Sequence, residues 1–165
     1  MRTIWMAATV LAAGAALAGC GKQEAPVMPQ AASEAPAVAA APAGPTPEQE
    51  AMKASLPAPY NTADLASGQA KFAQCHSCHT IDKGGANLTG PNLYGVFGTE
   101  AAQVAGFDFS DAMKGSGFTW DAPMIDKWIA DPRTALPDTK MTFAGVKDAK
   151  DRADIVAFVA VQRDK

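Results

Sequence analysis

Five consecutive residues, Cys75, His76, Ser77, Cys78 and His79, bring two thiols and two imidazoles together. Three chemistries use such groups. A structural zinc ion takes four Cys or His ligands around a tetrahedron. A C-x-x-C dithiol can cycle through a disulfide. A C-x-x-C-H run can hold a haem through two thioethers, with the histidine on the iron.

Composition and spacing separate the three. Cys75, His76, Cys78 and His79 crowd into one turn of chain, too close to wrap one ion. The protein has only two histidines and one further cysteine, Cys20, so no second ligand cluster exists. A redox dithiol normally accompanies a βαβ pattern; no segment here alternates as a strand, and His79 would have no role. The haem reading uses every fixed position. The two thiols add to two vinyl groups of one porphyrin, and His79 follows as proximal ligand. His76 is one of the variable middle residues and is expected to face solvent without a role. The ligand on the other face of the iron separates electron transfer from ligand chemistry. Met113, Met124 and Met141 are the candidates past residue 60. Met124 lies in an expected helix, where methionine usually packs a core. Met141 sits in the Pro-led loop PDTKMTFAG (137–145), best placed to cross a ring, with Met113 in reserve.

The chain that must position these groups divides into three parts. Arg2 precedes an apolar run over residues 4–18 that ends in LAGC at 17–20. The run is shorter than the about 20 residues of a membrane span and reads as an export signal. Leu, two small residues and Cys resemble a bacterial lipoprotein signal, which implies cleavage after residue 19 and lipidation of Cys20. Residues 21–60 contain 12 Ala and 8 Pro. So little apolar period leaves ordering entropy unopposed, and 20–60 reads as a lipidated Cys20 followed by a flexible linker. One short helical turn at 47–55 is compatible with that. As a coil, 40 residues span roughly 35 Å, and as polyproline roughly 120 Å.

The folded domain is expected over 61–165. Asn61 can cap a first helix that runs into the Cys75–His79 motif, with Leu65 and Phe72 on one face. Eight glycines between 82 and 119 mean loops, with a short helix expected over 92–98. Residues 121–130 read as a helix between Asp121 and Pro132. Residues 147–163 read as another, with Ile155, Val156, Phe158 and Val159 in a stripe. The fold class is all-α and small. Such a thin core gains from a large apolar cofactor at its centre. The balance of 14 basic against 17 acidic residues argues against a nucleic-acid partner.

CHSCH (75–79), GPNLYGVFG (90–98), GFDFSDAMKGSGFTW (106–120), TKMTFAG (139–145) and RADIVAFV (152–159) together resemble the class I cytochrome c family, in its mitochondrial and bacterial cytochrome c2-like branch. The resemblance implies helices and loops wrapped around one covalent haem c, attached through Cys75 and Cys78. It implies His79 and Met141 as iron ligands, and the Pro91 carbonyl as partner of the His79 ring. It implies Trp120 on a haem propionate, Thr139 and Lys140 shaping the Met141 loop, and Gly68 and Phe72 packed on Ile155 and Phe158. The chain departs from the family at Thr99 (often Arg), Phe109 and Trp128 (often Tyr), Met113 (often Asn) and Asp138 (usually Gly). These changes are expected to remove polar partners around the haem. Relatives present a ring of lysines; here Lys71, Lys83, Lys140 and Lys147 are either a local patch or scattered charges. The implied function is one-electron transfer without catalysis. The expected setting is a monomer lipid-anchored on the periplasmic side of a bacterial cell membrane, between a cytochrome bc1-type donor and a cytochrome c oxidase-type acceptor. A fixed haem subunit of one complex and a peroxidase-like enzyme are the alternatives.

Overall fold

The computed structural model describes residues 44–164. The expected signal segment, Cys20 and the first part of the linker lie outside the described residues. Among the described residues there are six helices: α1 (Pro47–Ala54), α2 (Leu65–Phe72), α3 (Asp111–Lys114), α4 (Ala122–Ala130), α5 (Pro132–Ala135) and α6 (Ala149–Ala160), with a 3₁₀ turn over Tyr60–Thr62 between α1 and α2. Among the described residues the only β-pairing is an isolated antiparallel bridge between Glu100 and Thr119.

Each helix begins where a side chain can accept from an otherwise orphaned backbone N–H. Asp64, Asp121, Asp131 and Asp148 cap α2, α4, α5 and α6, with bonds of 2.8–3.1 Å to the N–H three residues on. Ser110 caps α3, and Thr46 with Gln49 forms a reciprocal capping box on α1. Each cap contributes about 1 kcal/mol. The cap of α2 is therefore Asp64 rather than Asn61, which lies in the 3₁₀ turn. Residues 92–98, expected as a helix, form turns instead, because Gly95 (φ +72°) and Gly98 (φ +86°) are left-handed.

Helix α6 is the centre. Every residue from Ala153 to Val161 is buried, enclosed by α2, α4, α1 and the Tyr60 turn. α2 crosses it closely at Gly68, where a Cβ would run into the Asp154 backbone and the Phe158 Cβ. Phe72 meets Phe158 at 5.4 Å between ring centroids. The folded unit reaches further upstream than the composition suggests. Leu56 and Tyr60 are both 7% exposed and belong to the core. The packed chain thus begins near Thr46, not Asn61. Two buried side chains, worth roughly 1.5–3 kcal/mol each, fix a stretch whose average composition is that of a linker.

Asp154 pins the same crossing. Its carboxylate is buried. Oδ1 accepts from the Asp64 backbone N–H at 3.0 Å, while Oδ2 accepts from Ser67 Oγ at 2.8 Å and Lys150 Nζ at 2.7 Å. Burial opposes the charge, but these donors outweigh it and hold the carboxyl below its ordinary value. A depressed folded pKa contributes stability above the unfolded value and loses it as pH falls through the folded one. Thermal melts from pH 6 downward should show stability declining once pH passes about 3.9, the ordinary Asp value. Asp154→Asn should cost about 1.5–3 kcal/mol at pH 7, as loss of a charged hydrogen bond does, and flatten that acid-side decline.

Candidate functional site

The C-terminal end of α2 continues as tight turns through the Cys75–His79 motif. Cys75 N–H donates to Phe72 O at 2.7 Å, Cys78 N–H to Cys75 O at 3.1 Å, and His79 N–H to Cys75 O at 2.9 Å. This winding puts two residues three apart on one face. Cys75, Cys78 and His79 accordingly line one cavity of about 250 Å³. Burial, with Cys78 nearby, pushes the Cys75 thiol up to about 11, and no disulfide joins the two sulfurs. His76 points away: it is exposed and meets the Phe72 ring edge at 4.8 Å.

His79 is held by a slot of backbone. Its Nδ1 lies 2.7 Å from Pro91 O. Gly90 backs directly onto the ring, where a Cβ would collide with it, and its N–H donates to Cys78 O at 2.8 Å. Burial lowers the imidazole below its usual 6.5, with the Pro91 bond opposing. The ring is therefore neutral at pH 7, Nδ1–H donates to Pro91, and the Nε2 lone pair is left for the cavity.

Met141 comes to the same cavity on a loop anchored to α4. Val146 N–H donates to Ile129 O at 2.8 Å, and Gly145 (φ +86°) sits so close to Ala130 O that no side chain fits there. Asp138 adopts φ +65°; Asp tolerates the left-handed region better than most residues, so the turn survives without glycine. Thr139 lines the cavity and its Oγ1 accepts from Met141 N–H at 3.2 Å. Met113 is buried and also lines it. Met124 packs against the core from α4.

Trp128 is the residue whose role the sequence did not show. Its indole Nε1–H donates to Met141 Sδ at 3.1 Å. The departure from tyrosine keeps a donor to the sulfur instead of removing one. Trp120, half-buried on the cavity wall, meets Trp128 edge-on at 5.3 Å. Its backbone N–H donates to Thr99 O, while its indole N–H donates to no protein atom among the described residues. Phe72, Val96, Phe109, Ile125, Ile129 and Ile155 supply apolar wall. An apolar chamber holding two thiols, one tethered imidazole and one thioether matches a covalently held iron porphyrin in both shape and donor set.

Comparison with known proteins decides the family. The family model described as Cytochrome c matches residues 65–162. The chain belongs to the cytochrome c family. The cytochrome c2 of Blastochloris viridis is 44% identical over 102 residues, 62% of this chain and 80% of that protein. A cytochrome c homolog of Bradyrhizobium diazoefficiens is 46% identical over 99 residues, 59% of this chain and 54% of that protein. Among solved structures, cytochrome cH from Methylobacterium extorquens superimposes with a TM-score of 0.55 at 44% identity, covering 59% of this chain and 97% of that one. The fold is that of a class I cytochrome c, and the protein is an electron carrier that binds one haem c covalently.

Were Met141 to ligate the iron of this cytochrome, the Trp128 N–H on its thioether would draw electron density from sulfur and so disfavour the more positive iron. Trp128→Phe should lower the midpoint potential by up to about 40 mV, the one-electron equivalent of a hydrogen bond worth about 1 kcal/mol. Trp128→Tyr should recover much of it. Spectroelectrochemical titration of the three proteins measures the shift.

Proposed function

We propose that the protein is a membrane-tethered carrier taking single electrons from a cytochrome bc1-type, quinol-oxidising complex to a cytochrome c oxidase-type terminal oxidase. The observation that carries the site assignment is the arrangement of His79 and Met141 around one cavity, the imidazole held through Nδ1 to Pro91 and the Met141 sulfur accepting from Trp128. Cys75 and Cys78 carry the thioethers. His79 and Met141 would hold the iron from the two sides of the cavity. Pro91 orients the imidazole, Thr139 steadies the methionine loop, and Trp120 offers its unengaged N–H to a haem propionate.

Haem supplies the one-electron couple. The protein's contribution is to keep both ligands in place in either oxidation state and to exclude water. His79 is held neutral by burial, its Nδ1–H tied to a carbonyl, so electron gain needs no proton movement at the imidazole. Met141 is held by a loop fastened to α4 at Val146, so the sulfur does not swing with charge. The apolar walls make the less charged state more favourable.

Export and tethering rest on the sequence of the N-terminal segment. LAGC at 17–20 supports a lipid on Cys20 and a periplasmic position at the membrane surface, and residues 21–45 supply the spacer. Among the described residues no helix is long and apolar enough to cross a membrane. A tether holds a carrier near its partners at high effective concentration.

Two experiments test this. Purified native protein should show the weak red charge-transfer absorption of sulfur-ligated ferric iron. Met141→Ala should abolish that band, lower the potential and open the iron to added imidazole or cyanide. Retention of the band in Met141→Ala would move the assignment to Met113. Cys20→Ser should shift the protein from the membrane to the soluble periplasmic fraction, read by fractionation, and an unchanged distribution would remove the lipid anchor.

A further inference from the structure

The side chains that line the cavity beside the two thiols carry little net charge. Gln74 and Ser77, which flank Cys75 and Cys78, are neutral and exposed. Leu88 is joined to the motif through backbone: its N–H donates to Gly90 O, and Gly90 N–H donates to Cys78 O. At 49% exposure it is the one large apolar side chain that stands out among the described residues. The charged side chains that line the cavity are Glu100 and Lys140, of opposite sign.

Lys140 does not act as a lone positive charge. Its Nζ lies 2.6 Å from Asp108 Oδ2 and 2.8 Å from Asp108 O. Lys114 lies 3.5 Å from the same carboxylate and 3.8 Å from Asp111. Two lysines and two aspartates thus sum to zero at this edge. The remaining candidates for a basic ring are neutralised or diverted in the same way. Lys71 pairs with Asp151 at 3.0 Å, Lys83 with Asp164 at 2.7 Å, and Lys147 Nζ donates to Ala130 O at 3.1 Å. Exposed pairs contribute little to stability. Their fields still cancel at a distance, because cancellation needs only proximity. Lys127 and Arg133 have no acid partner among the described residues, and neither lines the cavity. Residues 61–165 hold 11 basic and 13 acidic side chains, a net of −2, so no positive background restores a steering field.

We propose that the edge formed by Gln74, Ser77 and Leu88 docks on a redox partner whose facing surface is uncharged and largely apolar, with Leu88 as the anchor. This deepens the carrier reading above and rests on it. Association is then set by apolar contact and tethering, not by long-range attraction.

The test follows oxidation of the reduced holoprotein by stopped flow with two probes, ferricyanide and tris(phenanthroline)cobalt(III). Each accepts one electron, becoming ferrocyanide or the cobalt(II) complex, and no bond or proton is exchanged with the protein. Ionic strength is varied from about 10 mM to about 1 M, which shortens the Debye length from about 30 Å to about 3 Å. The ferricyanide rate should stay level or rise by less than about threefold as the weak net negative charge is screened. A fall of about tenfold or more would reveal a positive edge and overturn the proposal. Asp108→Asn should turn the ferricyanide dependence toward a fall, and Leu88→Lys should do so more strongly. No change in Leu88→Lys would mean that electrons leave elsewhere. A readout independent of electron transfer is amine acylation mapped by peptide mass spectrometry. Lys140 should label more slowly than Lys127 and accelerate in Asp108→Asn; equal labelling in the native chain overturns the cancellation. Membranes of the cells that make the protein should then oxidise it at a rate level across the same salt range. A steep salt dependence there sinks the apolar partner, whereas no oxidation at all removes the carrier reading and this proposal with it.

Discussion

Two helix backbones touch at Gly68, and the rest of the molecule is arranged around that contact. The missing side chain lets α2 lie against the Asp154 turn of α6. The C-terminal end of α2 is thereby aimed, and Cys75 to His79 follow it within one turn. Asp154 fastens the start of α2 to the same place with two hydrogen bonds, from the Asp64 backbone N–H and the Ser67 hydroxyl. A buried carboxylate would destabilise a helix pair without partners; here it fixes where the first helix begins relative to the last.

Tied to α6 through the Arg152–Asp126 pair, α4 organises the other side of the chamber. Trp128 and Ile129 belong to this helix, and Val146 returns to it. One side brings thiols and imidazole, the other brings the thioether, and apolar side chains from both meet between them. A polypeptide of this size does not close such a chamber with its own side chains. The porphyrin is therefore as much a part of the core as of the chemistry, which is why so much of the chain between 82 and 119 can be loop.

How much of this could be read from the letters depended on distance along the chain. The Cys75–His79 motif is contiguous, and the Met141 loop is marked by its own Pro and Lys, so both were legible. So were α4 and α6, whose Asp caps and apolar stripes are local signals. Trp128 was not: its partner Met141 is thirteen residues away across a turn, and sequence shows only a large aromatic in place of another. Asp154 reads as an ordinary charge in a helix until α2 is laid beside it. Leu56 and Tyr60 were hidden by averaging, since two anchors among many Ala and Pro leave the composition of a linker. The pairing of Lys140 with Asp108 joins two loops 32 positions apart and has no local signature.

The indole beneath Met141 also decides what kind of event electron transfer is in this protein. A phenol in that position would carry a proton that leaves near pH 10. Indole is a donor only and keeps its proton throughout the range a protein survives. With His79 tied through Nδ1 to a carbonyl that cannot accept a proton outright, neither Pro91 nor Trp128, the polar partners of His79 and Met141, has a proton to shed near neutral pH. Neither contact therefore adds a titration of its own beside the thioether or the imidazole when the acidity of the surroundings fluctuates.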